Sequence, residues 1–202
     1  MTKILEGKVA LITGSDSGIG QASAIEFARQ GADVVINYLE DREGAEKTLA
    51  EVRGQGQRGL VVQADISEEE QVEKLFSQAL DEFETLDILM NNAGVDASGK
   101  EVADLPTETW DRALKVNLYG TFFCCRRFIN IRKAAGGGGK IIKCELRASR
   151  HPERRRFRLR LLEGSYPKPH QNPRLRARSS WHERKQSLPG DGLDALQPAR
   201  DR

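Results

Sequence analysis

Apolar and polar positions switch period repeatedly along the first 142 residues. Residues 8–13 (KVALIT) form a short, nearly continuous apolar run, the pattern of a strand buried on both faces of a parallel sheet. A glycine-rich stretch, residues 14–20, breaks the run. Apolar residues then recur at Ile19, Ala22, Ala24, Ile25, Phe27 and Ala28, a helical stripe ending before Gly31. Residues 33–37 (DVVIN) predict a second strand, 42–53 a charged amphipathic helix stopped at Gly54, and 59–63 (GLVVQ) a third strand. Ser67 is a good N-cap for a helix running to about Phe83, with the carboxylates of Glu68, Glu69 and Glu70 in its first turn. Residues 86–90 (LDILM) predict a fourth strand, 107–131 one or two helices, and 140–142 the start of a fifth strand. Strands separated by helices of this length imply parallel pairing with right-handed crossovers. The expected fold is a doubly wound α/β sheet.

Composition divides the chain in two. Residues 1–143 carry 17 Lys+Arg against 23 Asp+Glu, whereas residues 144–202 carry 15 against 7. The later stretch contains no Val, Ile or Thr and holds six of the seven prolines. It therefore lacks the residues that favour strands and the apolar density that supports a core. We expect a domain over 1–143 and a basic, largely disordered tail over 144–202, with a basic helix conceivable over 147–160. No apolar run is long enough to span a bilayer, and no secretory signal pattern opens the chain. Cys124, Cys125 and Cys144 make neither a CxxC pair nor a disulfide framework. A cytoplasmic protein without a metal site or membrane partner is the expectation.

The candidate chemistry lies in Gly14, Ser15, Asp16, Ser17, Gly18, Ile19 and Gly20, between the first strand and the first helix. Gly14 permits a sharp exit from the strand, and Gly18 and Gly20 would let a diphosphate approach backbone amides at a helix N-terminus and let the helix pack closely on the sheet. Considered alone, such a loop can be a bare turn; the strand-to-helix context favours dinucleotide binding.

With the Thr-Gly-x-x-x-Gly-Ile-Gly loop come Asp65-Ile66 after the third strand, Asn91-Asn92-Ala93-Gly94 after the fourth, and Asn117 in Lys-Val-Asn-Leu-Tyr-Gly. This series resembles the NAD(P)-dependent short-chain dehydrogenase/reductase family over about residues 5–143, and most nearly its glucose-dehydrogenase and 3-oxoacyl-reductase types. The resemblance implies a Rossmann-like sheet of strands 1–5, a dinucleotide cofactor, a small alcohol or carbonyl substrate, and a homo-oligomer. It implies that Gly14, Ser17, Ile19 and Gly20 line the diphosphate and that Asp65 and Ile66 flank the adenine. Asn91, Ala93 and Gly94 would sit beside the ribose and nicotinamide, and Asn117 would hold the water of a proton relay. Read singly, Asp65 could be a helix-approach cap, Asn91 to Gly94 a strand-end turn, and Asn117 a buried amide bonded to backbone. After the second strand come Asn37, Tyr38, Leu39, Glu40 and Asp41, with no base, and Asp16 would repel a phosphate, so NAD is slightly favoured over NADP.

The resemblance also implies a catalytic serine, a tyrosine thirteen residues later, and a lysine four beyond that. No Tyr-x-x-x-Lys occurs in residues 144–202; Tyr166 is followed by Lys168 and His170. Read one nucleotide out of register from residue 143, however, positions 143–146 can decode as Asn-Val-Ser-Ser. Position 159 can then decode as tyrosine, and 163 only as lysine or arginine. These slots have the implied spacing, and the composition changes at the same residue. The tail thus reads as an out-of-frame translation. As written, the chain is expected to lack turnover and to lose part of the support for its oligomer face, residues 114–131. The alternatives are a truncated, catalytically dead dinucleotide-binding protein and a module whose Arg-rich tail binds nucleic acid through phosphates. The nucleic-acid reading has the least support.

Overall fold

The computed structural model describes residues 3–97, 101–146 and 157–162, all within the unit Met1–Ser165. Strand β1 (Val9–Ile12) leads to helix α1 (Gly18–Arg29), β2 (Asp33–Tyr38) to α2 (Arg42–Gly54), and β3 (Gly59–Gln63) to α3 (Glu69–Phe83). After β4 (Ile88–Asn91) come α4 (Thr107–Leu114), α5 (Thr121–Ala134), β5 (Lys140–Leu146) and β6 (Phe157–Leu162). The sheet order is β3-β2-β1-β4-β5-β6, parallel from β3 to β5. This is the doubly wound arrangement expected, with its crossover point between β1 and β4.

Side chains of each strand alternate between two cores. Leu11, Val35 and Leu89 face one side, where Leu75 and Phe76 of α3 and Cys124 and Phe128 of α5 cover them. Ala10, Ile12, Val34, Ile36 and Met90 face the other, under Ala24 and Ala28 of α1 and Leu49 and Val52 of α2. The small residues Ala24 and Ala28 let α1 lie close to the sheet, which fixes the aim of its N-terminus.

Three details depart from the sequence expectation. The sheet has a sixth strand: β6 pairs antiparallel with β5, Leu146 opposite Phe157 and Ile141 opposite Leu162. Its residues alternate apolar and basic (FRLRL), a period-two pattern that an open strand edge can capture, so residues 157–160 are strand rather than basic helix. The rest of the tail, including Tyr166, lies outside the described residues. Helix α3 starts at Glu69 with Glu68 as N-cap, not Ser67; the Asp65 carboxylate instead takes the Ser67 N–H at 2.8 Å. The third is a π-helical turn, Lys115–Gly120, joining α4 to α5. Gly120 fits there because a Cβ would stand 2.9 Å from both the side chain and the carbonyl oxygen of Ile66. The outer face of this rod leaves Trp110, Leu118, Tyr119 and Phe122 at least half exposed.

Candidate functional site

A cleft of about 1490 Å³ opens at the carboxyl ends of the parallel strands. Its floor is the β1–α1 loop, its walls the ends of β2, β3 and β4, and Asn117 and Lys143 line it on the β5 side. Ligands of doubly wound sheets bind in such a crevice.

The loop conformation follows from its glycines. Gly14 has φ +60° and a Cβ there would meet Ala93 at 3.0 Å. Gly18 has φ +54°, yet a Cβ would find open space within 4 Å. The free space lies at the start of α1, where Ser17 gives no side-chain cap and the first turn holds no acid. Backbone donors and the positive dipole end are thereby left for an anion. Gly20 is different: a Cβ would overlap the Gly14 carbonyl oxygen and stand 2.5 Å from Asn92 Nδ2. The loop's own packing therefore requires this glycine.

Of the sequence-predicted residues, Gly14, Asp16, Ser17, Gly18, Ile19, Asp65, Ile66, Ala93, Gly94 and Asn117 come together on the cleft. Ser15, Gly20 and Asn91 stand behind its wall. Ser15 is fully buried, its hydroxyl donating to Ile12 O at 2.9 Å. Asn91 is buried and donates through Nδ2 to Cys125 Sγ at 3.4 Å. Asp65 both lines the cleft and accepts the Ser67 N–H. The Asn117 amide is committed to Val95: Oδ1 accepts from Val95 N and Nδ2 donates to Val95 O, each at 2.9 Å. The Asn117 carbonyl accepts from Thr121 Oγ1 at 2.8 Å.

Sequence reasoning named Asn37, Asn92 and the loop threonine but gave them no part in bracing this site. Asn37 accepts the Gly14 N–H through Oδ1 at 3.3 Å and donates to Ala64 O at 3.0 Å, joining the ends of three strands. Asn92 Nδ2 donates to the carbonyls of Thr13 and Gly14 at 3.0 and 2.7 Å. Thr13 Oγ1 accepts from the N–H groups of Asn92 and Ala93, both at 3.0 Å. Polar residues at the ends of buried strands were the available signal, since such groups need partners.

Charge is uneven along the cleft. Asp16, Glu40 and Asp41 line the β2 end, where no lysine or arginine joins them among the lining residues, whereas charges of both signs, Lys143 among them, line the far side. Asp41 is fixed as the N-cap of α2, accepting from Gly44 N at 2.8 Å. The nearby thiols are poor nucleophiles. Burial pushes Cys124 up to about 12 and raises Cys125 and Cys144 as well.

Residues 8–154 match the model of the short chain dehydrogenase family, more than half of the chain. The chain belongs to that family. The chain is similar to a versicolorin reductase of Emericella nidulans, 41% identical over 139 residues, which are 68% of this chain and 51% of that protein. Glucose 1-dehydrogenase 2 of Bacillus subtilis is 38% identical over 130 residues, 64% of this chain and 50% of its own length. NADPH-dependent aldehyde reductase 2 of Arabidopsis thaliana is 43% identical over 150 residues, 68% of this chain and 55% of its own. The chain thus spans about half the length of the curated relatives it matches. Among the described residues no helix is long and apolar enough to cross a membrane.

Proposed function

We propose that this short chain dehydrogenase binds a nicotinamide dinucleotide in the cleft at the strand ends, as the cofactor half of an alcohol or carbonyl oxidoreductase. The observation that carries the reading is Gly18: a left-handed residue with unfilled Cβ space at an uncapped helix N-terminus. That is a cradle for a diphosphate, with backbone donors and no side chain in the way. Asp65, Ile66, Ala93 and Gly94 lie along the same cleft and would flank the two nucleosides. A bound nicotinamide would supply or take up the hydride. This chain's residues bind and orient the cofactor.

Cofactor choice rests on this chain's own charges, because an Arabidopsis relative is named for NADPH. Asp16, Glu40 and Asp41 would repel a 2′-phosphate, which supports NAD. A tighter dissociation constant for NADH than for NADPH is the expected result; the reverse order would overturn the preference.

We further propose that this chain does not turn over and that it is cytoplasmic. The tyrosine and lysine that handle the proton in its family have no Tyr-x-x-x-Lys counterpart after residue 143, and the out-of-frame reading accounts for that. The purified 202-residue chain should bind NADH saturably and yet oxidise or reduce no dinucleotide with alcohols, sugars or aldehydes. Steady turnover would refute the inactivity, and absence of binding would refute the cofactor role. Reading the codons of Ile142 and Lys143 tests the frame: a single-nucleotide lesion supports it, and an intact frame with the same tail in related genes would end it.

A further inference from the structure

We infer that Lys143 makes the cleft discriminate the oxidation state of its dinucleotide, favouring the reduced form. The inference rests on the cofactor role proposed above and adds a regulatory property to it.

Lys143 is the last parallel partner on β5, paired in register with Asn91 at the end of β4. Ile141 packs on the core beneath α3 and α5, and Ile142 on the opposite one. Alternation therefore puts Lys143 on the α5 side, where Nζ donates to Thr121 Oγ1 at 2.9 Å. Thr121 Oγ1 in turn donates to the Asn117 carbonyl at 2.8 Å. A hydroxyl has one proton to give, so Thr121 meets Lys143 as an acceptor, and the arrangement suits an ammonium. The neighbouring Asn91 Oδ1 is buried without a hydrogen-bond partner among the described residues, a second acceptor dipole on the same strand ends. Lys143 and Asn117 both line the cleft. A held cation thus stands at the end where Ala93 and Gly94 would meet the nicotinamide.

The oxidised and reduced dinucleotides differ at the nicotinamide ring, which carries a positive charge when oxidised and none when reduced. Diphosphate, riboses and adenine are common to both, and attraction of Lys143 for the diphosphate cancels in the comparison. What Lys143 adds to the comparison is repulsion between its ammonium and the oxidised ring. In a solvent-open cleft this amounts to about a three- to tenfold difference in affinity. Exposed charges of both signs also line this region, namely Asp96, Glu108, Asp111, Arg112 and Lys115. They stay in place when Lys143 alone is changed.

The test titrates the full chain with NAD⁺ and NADH by calorimetry, alongside Lys143→Gln and Lys143→Arg, with circular dichroism melting to confirm folding. The wild type should bind NADH three- to tenfold more tightly. Lys143→Gln should shrink that ratio at least threefold, and Lys143→Arg should keep it. In the wild type, raising salt from 50 to 500 mM should move the ratio toward one, a readout that stands even if a variant fails to fold. A ratio that neither salt nor Lys143→Gln changes, or a preference for NAD⁺, overturns the inference while leaving the cofactor role intact. No binding of either form overturns both.

Discussion

The Asn117 side chain holds both polar backbone groups of Val95, donating to its carbonyl and accepting from its N–H at 2.9 Å. This pair of hydrogen bonds ties the π-turn between α4 and α5 to the segment leaving β4. The one residue that the resemblance makes catalytic is therefore also a clamp that shapes the cleft.

Removing the clamp should cost stability. Asn117→Ala leaves both groups of half-buried Val95 without their partner, which we expect to destabilise the chain by about 1–3 kcal/mol. Asn117→Asp keeps the acceptor and loses the donor, so it should fall between. Urea denaturation of the three proteins checks the order; an unchanged Asn117→Ala midpoint would show the clamp to be idle.

Two glycines of one loop should fail in different ways. Gly20→Ala drives a methyl group into the Gly14 carbonyl and Asn92, so it should lower stability by several kcal/mol whether or not ligand is present. Gly18→Ala meets nothing within 4 Å and bears only the left-handed backbone cost of about 1 kcal/mol. It should nevertheless weaken NADH binding markedly, since the methyl group enters the space proposed for the diphosphate. Equal melting temperatures for the two variants would contradict this division.

Helix α3 ends on Glu84 in the left-handed conformation, at φ 64°. Glycine bears no Cβ penalty there. Glu84→Gly should stabilise the chain by roughly 0.5–1 kcal/mol, seen as a higher denaturation midpoint with an unchanged slope. A loss of stability would mean that the Glu84 side chain contributes more than its backbone costs.

Burial raises Cys124 from the ordinary 9.0 to about 12. Below pH 9 the thiol is protonated in both folded and unfolded chains and contributes no pH dependence. Between pH 9 and 12 the unfolded chain loses this proton while the folded chain keeps it, so stability falls as pH rises, by up to about 1.4 kcal/mol per pH unit. Cys124→Val should make that alkaline decline shallower, as followed by denaturation at stepped pH. Identical slopes for the two proteins would rule out the buried thiol as a source.

Much of this architecture was legible because it is local. The five parallel strands are short apolar runs, and the loop glycines at 14, 18 and 20 sit between a strand and a helical stripe. What escaped is non-local. Nothing beside Asn37 in the chain announces that its amide will join Gly14 to Ala64. Thr13 and Asn92 brace each other across 79 residues. Helix α3 begins one residue later than the cap pattern suggests, with Glu68 at its N-cap position, and the Ser67 N–H bonds to Asp65 two residues earlier. Strand β6 is visible only once β5 offers an edge. The close packing expected at Gly20 was legible, but its particular neighbours, the Gly14 carbonyl and the Asn92 amide, were not.

The central claim is that this cleft holds a nicotinamide dinucleotide. Calorimetric titration of the purified 202-residue chain with NADH tests it most directly. Saturable binding at one dinucleotide per chain is the expected result, weakened in Gly18→Ala. A flat titration by a chain that still melts cooperatively would contradict the claim.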